Sequence, residues 1–165
     1  MNWKYLLFVG ALAVGSLLYV VKEKFLNKEA NVAHWTFKTL DGKIVTMEDY
    51  KGKNVVLNFW KTWCSPCMKE MPILEEARKQ LGPDFVFLSP SDEDMDKVRI
   101  FKETNDYGFT FLSSMKFSLL GVVYYPETFV IDKEGNVVKH QLGAFKYNGK
   151  VLADSLKYWT SNKIN

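Results

Sequence analysis

The 165-residue sequence predicts an α/β domain, a central mixed β-sheet flanked by helices, preceded by one transmembrane helix. Three observations carry this expectation. Val55 to Trp60 is apolar except for Asn58, as in a strand buried on both faces, and a helical stretch begins directly behind it at Ser65. The buried run Phe85 to Leu88 and the strand Glu127 to Ile131 stand in an element order that reads βαβ and then βαββα, which predicts one sheet with helices on both faces. Ahead of these, residues 5–21 carry no charge over seventeen positions, about 25 Å as a helix and at the short end of what spans a bilayer.

Composition narrows the function classes. With 47% hydrophobic and 25% charged residues, the chain has the make-up of one globular domain with a full core plus an appendage. The net charge of +3 is concentrated at the start. Without Lys4, Lys22, Glu23, Lys24, Lys28 and Glu29, 18 basic residues face 17 acidic ones, a balance that argues against nucleic acid as a partner. The two cysteines, Cys64 and Cys67, both lie in one Cys-x-x-Cys motif, so neither a separate structural disulfide nor a third thiol is available. A zinc site would have to recruit His34 and His140, which lack finger-like spacing, and a covalent haem site needs His where Met68 stands. No metal and no cofactor is expected.

In chain order, Tyr5 to Val21 reads as an uncleaved anchor with Trp3, Tyr5 and Tyr19 at the interfaces, because Ala11-Leu12-Ala13 lies inside the run and no small-x-small cleavage site follows it. Lys22, Lys24 and Lys28 outnumber Lys4 and the amino terminus, and by the positive-inside rule alone they would keep the domain in the cytoplasm. Lys22 to Ala33 is a polar linker, which divides the chain into an anchor and linker over 1–28 and a domain over 29–165. Trp35 to Leu40 alternates towards Asp41-Gly42 with Ile44-Val45 returning, an N-terminal β-hairpin. Thr46 with Asp49 is a capping box for a short helix ending near Gly52. The helix from Ser65 to Leu81 carries Cys67, Met71, Leu74 and Leu81 on its apolar stripe, with Pro72 expected to kink it. After the Phe85 strand, Ser91 with Asp94 starts a helix that runs to about Gly108 and turns Met95, Val98 and Phe101 inward; its acidic start at Asp92 and Glu93 reads as solvated and matched to the helix dipole. Phe109 to Leu112 and Ser114 to Leu120 add a short strand and helix. Strands Glu127 to Ile131 and Val137 to Gly143 pair across Asp132 to Asn136, and a last helix presents Leu152, Leu156 and Trp159.

The chemistry concentrates at the strand-to-helix junction. Thiols at i and i+3 of a helix lie on one face, within the Cα separation of about 4.4 to 6.8 Å that a disulfide needs. Cys64, at the exposed first-turn position, meets unsatisfied N–H groups and the positive dipole end, which favour a thiolate; Cys67 is shielded one turn inside. One thiol attacks and the other resolves.

Trp63-Cys64-Ser65-Pro66-Cys67 behind Val-Val-Leu-Asn-Phe-Trp, together with Tyr125-Pro126-Glu127-Thr128-Phe129 downstream, resembles the thioredoxin superfamily and, more closely, its membrane-anchored TlpA/ResA-like thiol-disulfide oxidoreductases. The likeness covers about His34 to Thr160. It implies a thioredoxin-like fold in which the Phe109 to Leu120 stretch is a βα insert, and a cis Tyr125-Pro126 bond whose loop, with Trp63, Ser65, Pro66 and Glu127, borders the substrate. Plain thioredoxins carry a buried aspartate where Asn58 stands, and an amide cannot titrate. Glu70 matches a glutamate of the ResA-like branch that would move the proton of Cys67, although from the sequence it equally suits an ordinary exposed charge beside Lys69. The resemblance places the domain outside the cytoplasm, on the periplasmic or outer face of the membrane, as a reductase of exported thiol or disulfide proteins such as apocytochrome c or copper-site proteins, recharged by a membrane electron donor. The rival readings are a DsbA-like oxidant, a peroxiredoxin-like antioxidant and a non-enzymatic binding module for exported chains.

Overall fold

The computed structural model describes residues 32–161. The expected anchor at 5–21 and the domain boundary near residue 28 lie outside the described residues, among which no helix is long and apolar enough to cross a membrane. The strands are β1 (Thr36–Thr39), β2 (Ile44–Thr46), β3 (Asn54–Phe59), β4 (Phe85–Ser91), β5 (Thr110–Ser113), β6 (Glu127–Ile131) and β7 (Val137–Leu142); the α-helices are α1 (Ser65–Gln80), α2 (Met95–Thr104) and α3 (Gly149–Ser161). They form one mixed sheet in the order β2-β1-β5-β4-β3-β6-β7. β3, buried at all six positions, lies near its middle, parallel to β4 and antiparallel to β6.

The expectation of helices on both faces does not hold: the three α-helices share one face. The reason is the direction of the strand steps. From β3 to β4 to β5 the chain moves the same way across the sheet through two parallel crossovers, and right-handed connections then put α1 and α2 on the same side. Val98 of α2 accordingly joins Cys67, Met71 and Leu74 of α1 and Leu152 and Leu156 of α3 in one core, and Phe101 packs 4.5 Å from the ring of Trp60. The opposite face is closed by aromatic side chains. Trp35, Phe117 and Phe129 each meet Phe59 or one another edge to face, with centroids 5.0 to 6.0 Å apart.

Several local readings change with this context. The Thr46 box caps a 3-10 turn, Met47–Tyr50, where Asp49 Oδ2 accepts from the Thr46 amide at 2.7 Å and its hydroxyl at 3.1 Å. Ser91 is not a helix cap. It is the last residue of β4 and pairs with Ser113, while Asp94 caps α2 by accepting from the Asp96 amide at 2.8 Å. α2 stops at Thr104, short of Gly108, where Asn105 turns extended and its side-chain amide donates to the Phe101 carbonyl at 2.9 Å. The insert's helix is a 3-10 turn, Phe117–Leu120, ended by Gly121 at φ 78°, a left-handed position that suits glycine. In the β6–β7 hairpin, Asp132 Oδ1 accepts from the amides of Glu134 and Asn136, and the pairing slips at a bulge between Val130 and Ile131. The sheet thus ends in three-residue β2 on one side and in bulged β7 on the other.

Candidate active site

Cys64 and Cys67 form a disulfide with a Cα separation of 5.2 Å. Cys64 is the N-cap of α1 rather than a first-turn residue: its sulfur accepts from the Cys67 amide at 3.2 Å and its carbonyl from the Met68 amide at 3.1 Å. Both cysteines are buried, at 5% and 1% exposure, so the expected exposed position of Cys64 is corrected. The cap conformation folds its sulfur over the first turn, into the bridge. Ser65 and Pro66 are exposed in that first turn, where proline forfeits no helical hydrogen bond, and α1 continues through Pro72.

The two distant motif segments meet here. Trp63 is 68% exposed and its ring stands edge to face with Tyr125 at 6.1 Å. The Tyr125–Pro126 bond is cis, and the Pro126 carbonyl accepts from the Gly143 amide at 2.9 Å. Glu127 differs from its expected place at the substrate. Successive strand side chains alternate faces, so with Thr128 turned to the α1 side Glu127 points to the other, where it is buried and lies 2.7 Å from His140 Nε2.

Glu70 is 1% exposed, which removes the reading of a surface charge. Its Oε1 accepts from the Phe145 amide at 2.7 Å and its Oε2 from Asn58 Nδ2 at 3.1 Å; Asn58 also donates to Thr128 Oγ1 at 2.9 Å. Burial pushes the Glu70 carboxyl up to about 7, against the pull of these two donors towards the charged form. A buried carboxyl that titrates near neutrality thus sits one turn along α1 from Cys67, held by a strand asparagine that cannot itself take a proton.

Four residues of this region carry no functional signal in the sequence: Lys61, Thr62, Asp92 and Glu93. Lys61 Nζ forms a close ion pair with Asp92 Oδ1, outside the geometry of an aligned hydrogen bond. Glu93 accepts from the Thr62 amide at 2.6 Å and from its hydroxyl at 2.8 Å, and Asp92 Oδ2 accepts from the Phe117 amide at 3.0 Å. The acidic stretch read as a solvated helix start therefore fastens the loop that leads into Cys64.

The redoxin family model matches residues 27–155. The chain belongs to the redoxin family. Among redoxins it is 36% identical over 141 residues to the thiol-disulfide oxidoreductase ResA of Bacillus thuringiensis strain Al Hakam, covering 79% of this chain and 80% of that protein. It is 32% identical over 131 residues to the thioredoxin-like protein YneN of Bacillus subtilis strain 168, covering 76% and 77%. The crystal structure of the exposed lipoprotein thioredoxin Etrx1 of Streptococcus pneumoniae strain TIGR4 superposes with a TM-score of 0.62 at 30% identity, over 75% of this chain and 98% of that one. This redoxin is a ResA-like thiol-disulfide oxidoreductase of the thioredoxin superfamily, and its Cys64–Cys67 pair, closed here as a disulfide, is the two-electron couple through which such exchange runs.

Proposed function

We propose that this redoxin is a membrane-tethered reductase of exported proteins. In the reduced state the Cys64 thiolate attacks one sulfur of a client disulfide, giving a mixed disulfide and a client thiolate; Cys67 then attacks Cys64 Sγ, releases the second client thiolate and closes the Cys64–Cys67 bridge. The client gains two electrons and the domain loses two, so a membrane dithiol donor must restore them. Glu70 holds the proton that Cys67 gives up. The observation that carries this reading is the Glu70 carboxyl beside the disulfide, raised towards neutrality by burial against the pull of the Asn58 and Phe145 donors that hold it in place. Trp63, Ser65, Pro66, Tyr125 and Pro126 border the client.

The extracytoplasmic location is supported by the uncharged run at 5–21 and by similarity to a lipoprotein described as exposed. The reduction potential tests the direction. Equilibration with a thiol buffer is expected to give a value near thioredoxin's, about −270 mV. A value close to that of DsbA, about −120 mV, would make the domain an oxidant.

A further inference from the structure

Lys61 occupies an unusual position for an ammonium. It is 14% exposed, its partner Asp92 is 8% exposed, and its Nζ lies 5.7, 5.2 and 5.1 Å from the ring centroids of Trp63, Phe117 and Tyr125. These distances are within reach of cation–π attraction, which strengthens as the cation is desolvated. The three rings come from three separate segments: the redox motif, the insert's 3-10 turn and the cis-proline loop. They also touch one another, Trp63 with Tyr125 at 6.1 Å and Phe117 with Tyr125 at 5.5 Å. Asp92 closes the arrangement by holding both the ammonium and the Phe117 amide.

We propose that Lys61 is a positioning residue for protein clients: its ammonium, neutralised by Asp92, locks Trp63 and Tyr125 into a preformed apolar rim beside Cys64. The inference rests on the reading of this site as one that docks proteins. Ordering mobile side chains on binding weakens association, and a rim already fixed around a cation avoids that loss. Because Asp92 takes up the charge, the rim presents ring surface and not a free cation. It therefore suits clients with apolar or aromatic residues beside their cysteines rather than acidic ones. Lys61 touches neither sulfur in this arrangement; its action runs through the rings.

Single-turnover exchange tests it. The reduced full-length chain in mild detergent is mixed with excess of a peptide carrying one disulfide flanked by Phe and Leu, and separately with glutathione disulfide, which has no apolar flank for the rim. Lys61→Met is expected to raise the half-saturating peptide concentration about tenfold, with the limiting rate and the glutathione reaction changed less than about twofold. Lys61→Arg restores most of the peptide affinity, because it keeps a cation among the rings. Asp92→Asn, which preserves side-chain volume, weakens peptide binding in the same direction. An equal loss with both substrates would place the Lys61 charge on the reacting sulfurs and overturn the proposal, as would an unchanged half-saturation. If the wild-type chain reacts with glutathione disulfide but never saturates with peptide, the reading of protein clients itself fails, and this outcome is distinct from a failure of Lys61 alone.

Discussion

At the scale of single residues, the environment of Glu70 makes a quantitative prediction. Its carboxyl, at 4.5 in an unfolded chain, is raised by burial to about 7 in the fold, so the folded protein binds this proton more tightly than the unfolded one. The stability this contributes is complete below pH 4.5 and is lost as pH rises through 7. Each tenfold difference in proton affinity is worth about 1.4 kcal/mol, which makes the loss about 3 kcal/mol. Urea unfolding of the oxidised chain between about pH 4 and 8 is expected to show the decline, and Glu70→Gln to remove most of it. The same variant should slow disulfide exchange and shift its pH profile; a profile that overlays the wild type's would leave Glu70 no part in moving protons. The sequence shows that Glu70 follows Cys67 by one turn, but not that it is buried. Its flanking Lys69 and the nearby Glu75 and Glu76 make the helix look charged throughout, and the amide that holds it belongs to Phe145, 75 residues away. Lys61 was illegible for the same reason, since Asp92, Phe117 and Tyr125 come together only through the sheet.

At the scale of elements, the start of α1 sets which sulfur leads. Cys64 caps the helix, where free N–H groups and the dipole favour its thiolate, and it retains the greater residual exposure of the pair. Cys67→Ser is therefore expected to trap mixed disulfides with clients about tenfold more than Cys64→Ser, read on non-reducing gels. Equal trapping would remove the assignment of Cys64 as the attacking thiol. Elements defined by local chemistry were legible: both hairpins follow from Asp41-Gly42 and Asp132 to Asn136, and α1 from its apolar stripe. Those defined by neighbours were not. Ser91 has the side chain of a helix cap, yet pairing with Ser113 draws it into β4, and the segment after Ser114 is only a 3-10 turn, its first amide held by Asp92 and its end set by Gly121. The side of the sheet that α2 takes depends on strand order, which no local pattern contains.

For the whole molecule, the proposed tether predicts which side of the membrane holds Cys64. In intact cells, after mild reduction, a membrane-impermeant maleimide should label it without lysis; labelling only after lysis would place the domain inside, as the count of Lys22, Lys24 and Lys28 favours. A reductase of exported proteins, as proposed, would face a hazard of its own wherever a client is not yet folded, because an open sheet edge invites strand addition and co-aggregation. Here the two margins of the sheet are poor templates. β2 offers three residues, too few for a stable added strand, and β7 is interrupted opposite the Val130–Ile131 bulge and bears Lys139, His140 and Gln141 in succession. On the proposed reading, clients would be engaged beside the Cys64–Cys67 pair while the two edge strands of the sheet stay closed to them.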